Sequence, residues 1–184
     1  MTVNSKGTII FVLGGARSGK SGFALRDASA RQGKKAYIAT AQALDQEMEE
    51  RIAKHREERA SEWKTFEEPL RLSALIEEAC ISHEVVLVDC LTLWLSNLLL
   101  GEERPDDPER TEKELEKLLK LLQRFQASDS HALYLVSNEV GMGIVPDNAL
   151  SRRFRDLAGR VNQKVAEIAD AVYFVAAGIP LKLK

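Results

Sequence analysis

The chain has 184 residues, of which 45% are hydrophobic and 29% charged, a balance typical of a globular domain that builds its core without disulfides or metal. Its net charge of −2 provides no general basic field for nucleic acid, and no apolar stretch reaches the ~20 residues that span a bilayer. We therefore expect one domain over residues 1–184, with no nucleic-acid partner and no membrane span.

Apolar runs alternate with helix-like segments along the chain. In chain order the sequence predicts a strand at 8–13, a helix at 20–31, a strand at 35–40, helices at 44–60 and 71–80, a strand at 84–89, an apolar helix at 90–100, a loop at 101–108, a helix at 109–125, a strand at 132–137, a helix at 147–169 and strands at 171–176 and 180–184. Strands joined by helices form mostly parallel sheets through right-handed crossovers. The sequence thus indicates an α/β fold, a mostly parallel sheet flanked by helices, with ligands bound beyond the carboxyl ends of the strands.

The two cysteines, Cys80 and Cys90, both lie in apolar surroundings. Neither belongs to a Cys-x-x-Cys pair or stands near a histidine at metal-ligand spacing. We expect buried free thiols, which are typical of a reducing cytoplasm. The expected location is therefore cytoplasmic.

A phosphate-binding motif follows the first predicted strand. The segment Gly14-Gly15-Ala16-Arg17-Ser18-Gly19-Lys20-Ser21 meets the full Walker A pattern, between an apolar strand and a helix. The glycines let successive backbone N–H groups surround phosphate oxygens, and the helix directs its N-terminal dipole at the same anion. Lys20 would bridge the β- and γ-phosphates, and the Ser21 hydroxyl would bind Mg²⁺. This context argues against an accidental glycine-rich turn and predicts a P-loop NTPase core.

A carboxylate ends the clearest of the predicted buried strands. Asp89 follows Val85-Val86-Leu87-Val88 and is the natural Walker B residue, which would hold Mg²⁺ directly or through water. The alternative is an aspartate that caps the next helix. The Walker A motif upstream favours the metal role.

His55 lies in a segment crowded with cations. On a helix, Ile52, His55 and Arg59 share one face. The neighbouring cations would disfavour the imidazolium and leave a neutral nitrogen available as a nucleophile, and the same cations could hold a triphosphate. From the residues alone, an exposed histidine in a charged helix is the simpler interpretation.

The segment at 137–146, Ser-Asn-Glu-Val-Gly-Met-Gly-Ile-Val-Pro, is unusual for a plain connection. Gly141 and Gly143 free the backbone at the carboxyl end of a predicted strand, and a helix rich in arginine follows. These features are compatible with a surface for an anionic substrate or a subunit contact. They are equally compatible with a flexible loop and a solvated helix face.

Together these segments resemble one known family, the bifunctional adenosylcobinamide kinase/adenosylcobinamide-phosphate guanylyltransferases of cobalamin biosynthesis. The matching segments are the Walker A motif and residues 37–41, 45–55, 63–67, 92–99, 137–146, 154–163 and 178–184. They span nearly the whole chain. The 137–146 segment, found together with the His55 segment, is far more specific than Walker A alone.

The resemblance implies a homotrimer with a P-loop core and two activities. It implies that adenosylcobinamide is phosphorylated on its aminopropanol hydroxyl with ATP or GTP, and that a histidine then attacks the α-phosphate of GTP. GMP would pass from this guanylyl-histidine to adenosylcobinamide phosphate, giving adenosylcobinamide-GDP and pyrophosphate.

The resemblance also implies roles for individual residues. The guanylylated histidine falls on His55, and Lys20 is the second expected catalytic residue. The expected nucleotide contacts are Gly14, Gly15, Ala16, Arg17, Ser18, Gly19, Lys20, Ser21, Thr40, Ala41, Gln42, Arg56, Glu57, Glu58, Arg59, Glu67 and Asp89. Ser21 and Asp89 are the expected Mg²⁺ ligands, and the apolar helix at 90–100 is an expected subunit contact.

Two other functions stay open on the sequence. A kinase without the guanylyl step would keep every phosphate-binding residue. A P-loop regulatory module would bind nucleotide without modifying a small molecule, although the chain lacks the Asn-Lys-x-Asp guanine motif usual in GTPase switches.

Overall fold

The computed structural model describes residues 7–43, 45–57, 61–100, 107–126 and 131–184. Its strands are β1 (Thr8–Gly14), β2 (Lys35–Ala39), β3 (Trp63–Glu67), β4 (Val85–Asp89), β5 (Ala132–Asn138), β6 (Ala171–Ala176) and β7 (Ile179–Lys182). Its helices are α1 (Lys20–Ser29), α2 (Gln46–Glu57), α3 (Leu72–Cys80), α4 (Leu91–Leu100), α5 (Pro108–Phe125) and α6 (Ala149–Ile168).

The described strands form a single seven-stranded sheet in the order β3-β2-β4-β5-β1-β6-β7. Every neighbouring pair is parallel except β6 and β7, which form an antiparallel hairpin at one edge. The carboxyl ends of the parallel strands therefore lie side by side. We call this border the carboxyl edge of the sheet, and it differs from the lateral edges formed by β3 and β7. The predicted α/β fold, a mostly parallel sheet flanked by helices, is confirmed.

The side chains of β1 alternate between the two faces of the sheet, because successive residues of a strand point in opposite directions. Ile9 and Phe11 pack in a cluster with residues of α3, α4, α5 and α6. Ile10 and Val12 pack on the other face with residues of α1. The strand that leads into the phosphate loop is thus buried on both faces, as its continuous apolar sequence predicts.

Helix α4 is apolar because it belongs to the core. Leu91, Trp94 and Leu95 are completely buried. The indole N–H of Trp94 donates a hydrogen bond to the carbonyl of Leu70 at 2.8 Å. Most of its apolar side chains therefore pack inside the chain, although Leu100 is 56% exposed, and the subunit contact of this helix stays a prediction.

Strand β3 is the element that the sequence does not predict. It pairs in parallel with β2 at the edge of the sheet. Trp63 is its buried residue, and the Trp63 indole N–H donates to the Ser29 hydroxyl at 3.1 Å. Lys64, Thr65 and Glu67 are exposed, so the strand has too few apolar positions to show an alternating pattern.

Candidate functional site

The phosphate loop has a conformation that its glycines permit. Gly19 has a φ of +91° and Arg17 a φ of +56°, both in the left-handed region. A Cβ added to Gly14 would lie 2.4 Å from the Ser18 hydroxyl oxygen and 2.5 Å from the carbonyl oxygen of Val175. Glycine at positions 14 and 19 therefore allows the loop to curl tightly against β6.

Lys20 begins α1 and is only 6% exposed. Its ammonium donates to the carbonyl of Gly15 at 3.1 Å, inside the curl of the loop. Ser21 follows on the first turn of the helix and lines the same cleft as Lys20. A buried ammonium, a hydroxyl and a helix N-terminus thus converge, an arrangement that suits a phosphate anion.

This cleft, which we call the phosphate cleft, encloses about 160 Å³ at the carboxyl edge of the sheet. It is lined by Ala16, Lys20, Ser21, Tyr37, Ala39, Ala41, Met48, Ile52, Asp89, Cys90, Leu93 and Asn138. Asp89 reaches it from the end of β4, and the Tyr37 hydroxyl donates to the Asp89 Oδ2 at 2.8 Å. The two motif residues that were predicted to act on one metal therefore line one cleft.

The Ser21 hydroxyl and the Asp89 carboxylate fit Mg²⁺, which takes hard oxygen ligands and commonly uses one or two from the protein. Within the described ranges, no group of three or more His, Cys, Asp or Glu side chains could hold a metal. A cation between Ser21 and Asp89 would therefore take further ligands from phosphate oxygens and water.

Residues 40–42 leave β2 at the same edge of the sheet. Thr40 is fully buried, and its hydroxyl donates to the Cys90 carbonyl and accepts from the Cys90 N–H, both at 2.8 Å. Ala41 lines the phosphate cleft, and Gln42 is exposed. Of these predicted nucleotide contacts, Thr40 fixes the backbone after Asp89 and Ala41 faces the cleft.

Helix α2 reaches the phosphate cleft through two apolar side chains, Met48 and Ile52. His55 follows Ile52 by three residues in this helix, and its side chain lies outside the described part of the chain. The predicted nucleophile is therefore one helical turn from a residue that lines the cleft.

Arg56 and Glu67 were both predicted to contact nucleotide, and they contact each other. They form an ion pair that joins α2 to the end of β3, with both side chains more than half exposed. The side chain of Glu57, and Glu58 and Arg59 as a whole, lie outside the described residues. Neither side chain lines the phosphate cleft, and the charges of the pair remain accessible to solvent.

Several residues of the cleft were given no individual role by the sequence-based prediction. Tyr37 orients Asp89 from inside β2, and its apolar neighbours gave no sign of this role. Asn138 ends β5 beside Gly14 in the strand register. The rule that ligands bind beyond strand carboxyl ends was signal enough to single out Asn138.

The segment after β5 is anchored to the phosphate loop at its start and to α6 at its end. The Glu139 N–H donates to the Gly14 carbonyl at 3.0 Å, and Arg152 of α6 donates to backbone carbonyls at 2.9 and 2.6 Å. Between these anchors, Met142 and Ile144 are 78% and 96% exposed. Exposed apolar side chains on an anchored segment favour a contact surface over a merely solvated loop.

Cys80 and Cys90 are free thiols, as predicted, although Cys80 is only half-buried. Burial, together with the Asp89 charge, raises the pKa of the Cys90 thiol to about 11. Burial and the nearby Glu77 raise the pKa of the Cys80 thiol to about 11. Neither thiol is therefore a nucleophile at neutral pH.

Known proteins resemble this chain over almost its whole length. A family model described as cobinamide kinase / cobinamide phosphate guanyltransferase matches residues 10–183. The chain belongs to this family. The family predicted from the sequence motifs is confirmed, and so is the assignment of the chain as an enzyme.

Individual members of the cobinamide kinase / cobinamide phosphate guanyltransferase family are also similar. The bifunctional adenosylcobalamin biosynthesis protein CobP of Pseudomonas aeruginosa is 49% identical over 173 residues, which cover 94% of this chain and 95% of that protein. The bifunctional adenosylcobalamin biosynthesis protein CobU of Escherichia coli is 43% identical over 188 residues, which cover 96% of this chain and 99% of that protein. The protein of the same name from Salmonella typhimurium is 42% identical with the same coverage.

Solved structures share the fold at low identity. The RadB recombinase superposes with a TM-score of 0.52 at 15% identity, covering 92% of this chain and 74% of that one. An ATPase from a bacterial type III secretion system superposes with a TM-score of 0.56 at 13% identity, covering 96% of this chain and 57% of that one. These likenesses confirm the predicted α/β fold of this cobinamide kinase / guanyltransferase family member.

Proposed function

We propose that this enzyme acts twice on one corrinoid, first as an adenosylcobinamide kinase and then as an adenosylcobinamide-phosphate guanylyltransferase. ATP or GTP would supply the phosphate, and GTP the guanylyl group. The observation that carries the proposal is that Lys20, Ser21 and Asp89 line one cleft in a chain of this family.

In the kinase step, the aminopropanol hydroxyl oxygen attacks the γ-phosphorus of the nucleotide. The bond between that phosphorus and the bridging oxygen breaks, the nucleoside diphosphate leaves, and the proton of the attacking hydroxyl passes to water. The buried Lys20 ammonium offsets the charge that develops on the β- and γ-phosphate oxygens. Because Lys20 is shielded from water, its charge is screened little.

Ser21 and Asp89 would hold Mg²⁺, which, when bound, offsets the negative charge of the triphosphate. The Tyr37 hydroxyl fixes the Asp89 carboxylate through its 2.8 Å hydrogen bond. The carboxylate is therefore oriented toward the cleft by the protein itself, which limits the reorganisation needed on binding.

In the guanylyl step we assign the nucleophile to His55. A ring nitrogen attacks the α-phosphorus of GTP and pyrophosphate leaves, forming a covalent guanylyl-enzyme. A phosphate oxygen of adenosylcobinamide phosphate then attacks the same phosphorus and releases the histidine, giving adenosylcobinamide-GDP. The place of His55 on α2, whose Ile52 lines the phosphate cleft, supports this assignment.

Labelling with α-³²P-GTP tests the covalent step. The wild type should retain acid-labile label, whereas His55→Ala should retain none and still phosphorylate cobinamide. Lys20→Ala should lose both activities, because one triphosphate site would serve both steps. His131→Ala is the matched control. His131 directly precedes β5, so it lies at the amino end of that strand, away from the carboxyl edge. The His131→Ala variant should be labelled like the wild type. Equal labelling of His55→Ala and the wild type would contradict the histidine mechanism.

Two alternatives predict different products. A kinase without the guanylyl step would transfer γ-phosphate to cobinamide and release no pyrophosphate from GTP. A regulatory module would bind nucleotide and leave every corrinoid unchanged. Family membership supports the bifunctional enzyme over both.

We further propose a homotrimer located in the cytoplasm. The resemblance of the sequence to the bifunctional enzymes supports the trimer, and the free thiols of Cys80 and Cys90 support a reducing compartment.

A further inference from the structure

Arg17 occupies a position of the phosphate loop that glycine would fill more easily. The Ser18 N–H donates to the Gly15 carbonyl at 3.2 Å, which closes a four-residue turn with Ala16 and Arg17 at its centre. Arg17 has a φ of +56°. At the third position of such a turn a positive φ favours glycine or asparagine, because a Cβ crowds the backbone there. The loop therefore holds an arginine in a conformation that costs the fold stability.

The guanidinium of Arg17 gives the fold nothing in return for this strain. Arg17 is exposed, and within the described ranges its side chain has neither an ion pair nor a hydrogen bond. Arg56, which was also predicted to contact nucleotide, already has Glu67 as its partner. Stability therefore does not explain an arginine at position 17. Backbone strain that the fold does not need is typical of residues that bind a ligand.

Arg17 lies at the rim of the phosphate cleft. Ala16 and Lys20 line the cleft, and Arg17 stands between them in the loop without lining it. Its position is fixed by the backbone, since the Gly178 N–H donates to the carbonyl of the next residue, Ser18, at 2.8 Å. Nucleotide phosphates inside the loop are served by the buried Lys20 and by backbone N–H groups. The charge of Arg17 therefore remains available at the entrance of the cleft.

The group that reaches this entrance from outside is the acceptor of the transferred group. In the kinase step the acceptor is a neutral hydroxyl, whereas in the guanylyl step it is a phosphate monoester with about −1.5 to −2 charge at pH 7. The charges of the described cleft lining, those of Lys20 and Asp89, cancel each other. A second phosphate therefore requires a further cation. A guanidinium suits this role, because its parallel N–H groups bind two phosphate oxygens at once.

We propose that Arg17 binds the phosphate of the acceptor in the guanylyl step, a phosphate monoester carried by the corrinoid. This inference rests on the proposed guanylyltransferase function. The unphosphorylated corrinoid has no such group and gains no affinity from Arg17. Arg17 is thus a specificity-determining residue, through which the enzyme selects adenosylcobinamide phosphate for guanylyl transfer.

The affinities of the nucleotide-free enzyme for adenosylcobinamide phosphate and for adenosylcobinamide, measured by titration calorimetry, test the contact. Arg17→Gly removes the side chain and suits the positive φ, so the loop keeps its conformation. This variant should bind adenosylcobinamide phosphate about tenfold more weakly than the wild type and adenosylcobinamide equally well. The KM for adenosylcobinamide phosphate in guanylyl transfer should rise by a similar factor. Labelling with α-³²P-GTP in the absence of corrinoid should be unchanged.

Two further variants control this experiment. Arg17→Lys keeps the charge but loses the planar fork, so it should weaken the binding of adenosylcobinamide phosphate only about threefold. Arg124→Ala is the matched control for the loss of one positive charge. The Arg124 side chain is 72% exposed and lies at the end of α5, which leads to the amino end of β5. Arg124→Ala should bind both corrinoids as the wild type does.

The proposal is overturned if Arg17→Gly binds adenosylcobinamide phosphate as the wild type does, or if it loses affinity for both corrinoids equally, as a purely structural residue would. It is also overturned if the variant loses labelling by GTP and keeps its affinity for adenosylcobinamide phosphate, since Arg17 would then contact the nucleotide alone. Calorimetry requires no catalysis. A wild type that binds adenosylcobinamide phosphate but transfers no GMP to it would instead refute the proposed guanylyltransferase function, so the two failures are distinguishable.

Discussion

Gly14 shows how a single missing side chain shapes the phosphate loop. The carbonyl of Val175 and the hydroxyl of Ser18 occupy the space that a Cβ would need. The Val175 carbonyl belongs to β6, which is hydrogen-bonded to β1, so it cannot move without disturbing the sheet. A Cβ on Gly15, by contrast, would have no described atom within 4 Å, so that side of the loop is open.

We expect Gly14→Ala to lower the free energy of unfolding by about 1–3 kcal/mol, the usual cost of overpacking. Gly15→Ala is the matched control and should change it by less than about 0.5 kcal/mol. Urea unfolding without nucleotide measures both. Similar losses in the two variants would contradict the steric explanation.

The thiol of Cys80 makes the free energy of unfolding decrease as the pH rises into the alkaline range. The pKa of its thiol is raised from an ordinary value of 9.0 to about 11 in the folded chain, because burial and Glu77 disfavour the thiolate. Between pH 9 and 11 the unfolded chain therefore releases this proton while the folded chain keeps it. The folded state loses stability as the pH rises through that window.

We expect Cys80→Ala to lose less free energy of unfolding than the wild type between pH 8 and pH 10.5. Other groups titrate in this range in both proteins, so the difference between the two profiles isolates the thiol. Urea unfolding at several pH values measures it. Parallel profiles would show that Cys80 ionises equally well in both states.

At the scale of elements, the hairpin of β6 and β7 supports the phosphate loop. Ala177 and Gly178 join the two strands with φ values of +51° and +79°, as a type I′ turn requires. The Gly178 N–H donates to the Ser18 carbonyl at 2.8 Å, and a Cβ on Gly19 would lie 3.0 Å from the Gly178 Cα. The turn therefore packs directly against the Walker A backbone.

We expect Ala177→Asn to raise the free energy of unfolding by about 0.5 kcal/mol, because asparagine tolerates the left-handed conformation better than alanine does. Gly178→Ala should lower it by about 1 kcal/mol or more and weaken nucleotide binding, since it strains the residue that holds Ser18. Thermal unfolding and nucleotide titration measure these effects. A loss of stability in Ala177→Asn, or a gain of stability in Gly178→Ala, would contradict the assigned turn.

At the scale of the whole molecule, the exposed apolar side chains are unevenly distributed. Within the described ranges, most of the large exposed ones lie after β5 or on and after β7: Met142, Ile144, Val145, Leu150, Ile179, Leu181 and Leu183. Among the residues that the structure describes, no helix is long and apolar enough to cross a membrane. Burial of such side chains against another copy would be favourable, and this agrees with the proposed homotrimer.

Sedimentation equilibrium tests the trimer, which should have three times the chain mass of 20.5 kDa. Ile144→Asp should shift the mass toward the monomer, because it places a charge in the exposed apolar segment. Ile81→Asp is the control: Ile81 is 85% exposed but lies after α3, away from that segment, and should leave the mass unchanged. A monomeric wild type would refute the trimer.

The phosphate loop, the family and the positions of most elements could be predicted from the sequence. Walker A, the apolar run before Asp89 and the buried strand at 8–13 depend on local pattern, which a sequence displays directly. The sequence also supplied the candidate roles of Lys20 and His55, although His55 depended on family resemblance, because charge pattern alone favoured an exposed side chain.

Which other residues join the Walker motifs in the phosphate cleft depends on how distant strands pair. Tyr37 and Asp89 are 52 residues apart, and their contact depends on β2 and β4 being neighbours. The same holds for the buried, unpaired Oδ1 of Asn138, which lies beside the phosphate loop only because β5 pairs with β1. Strand order is set by packing across the whole chain, and no local pattern in the sequence records it.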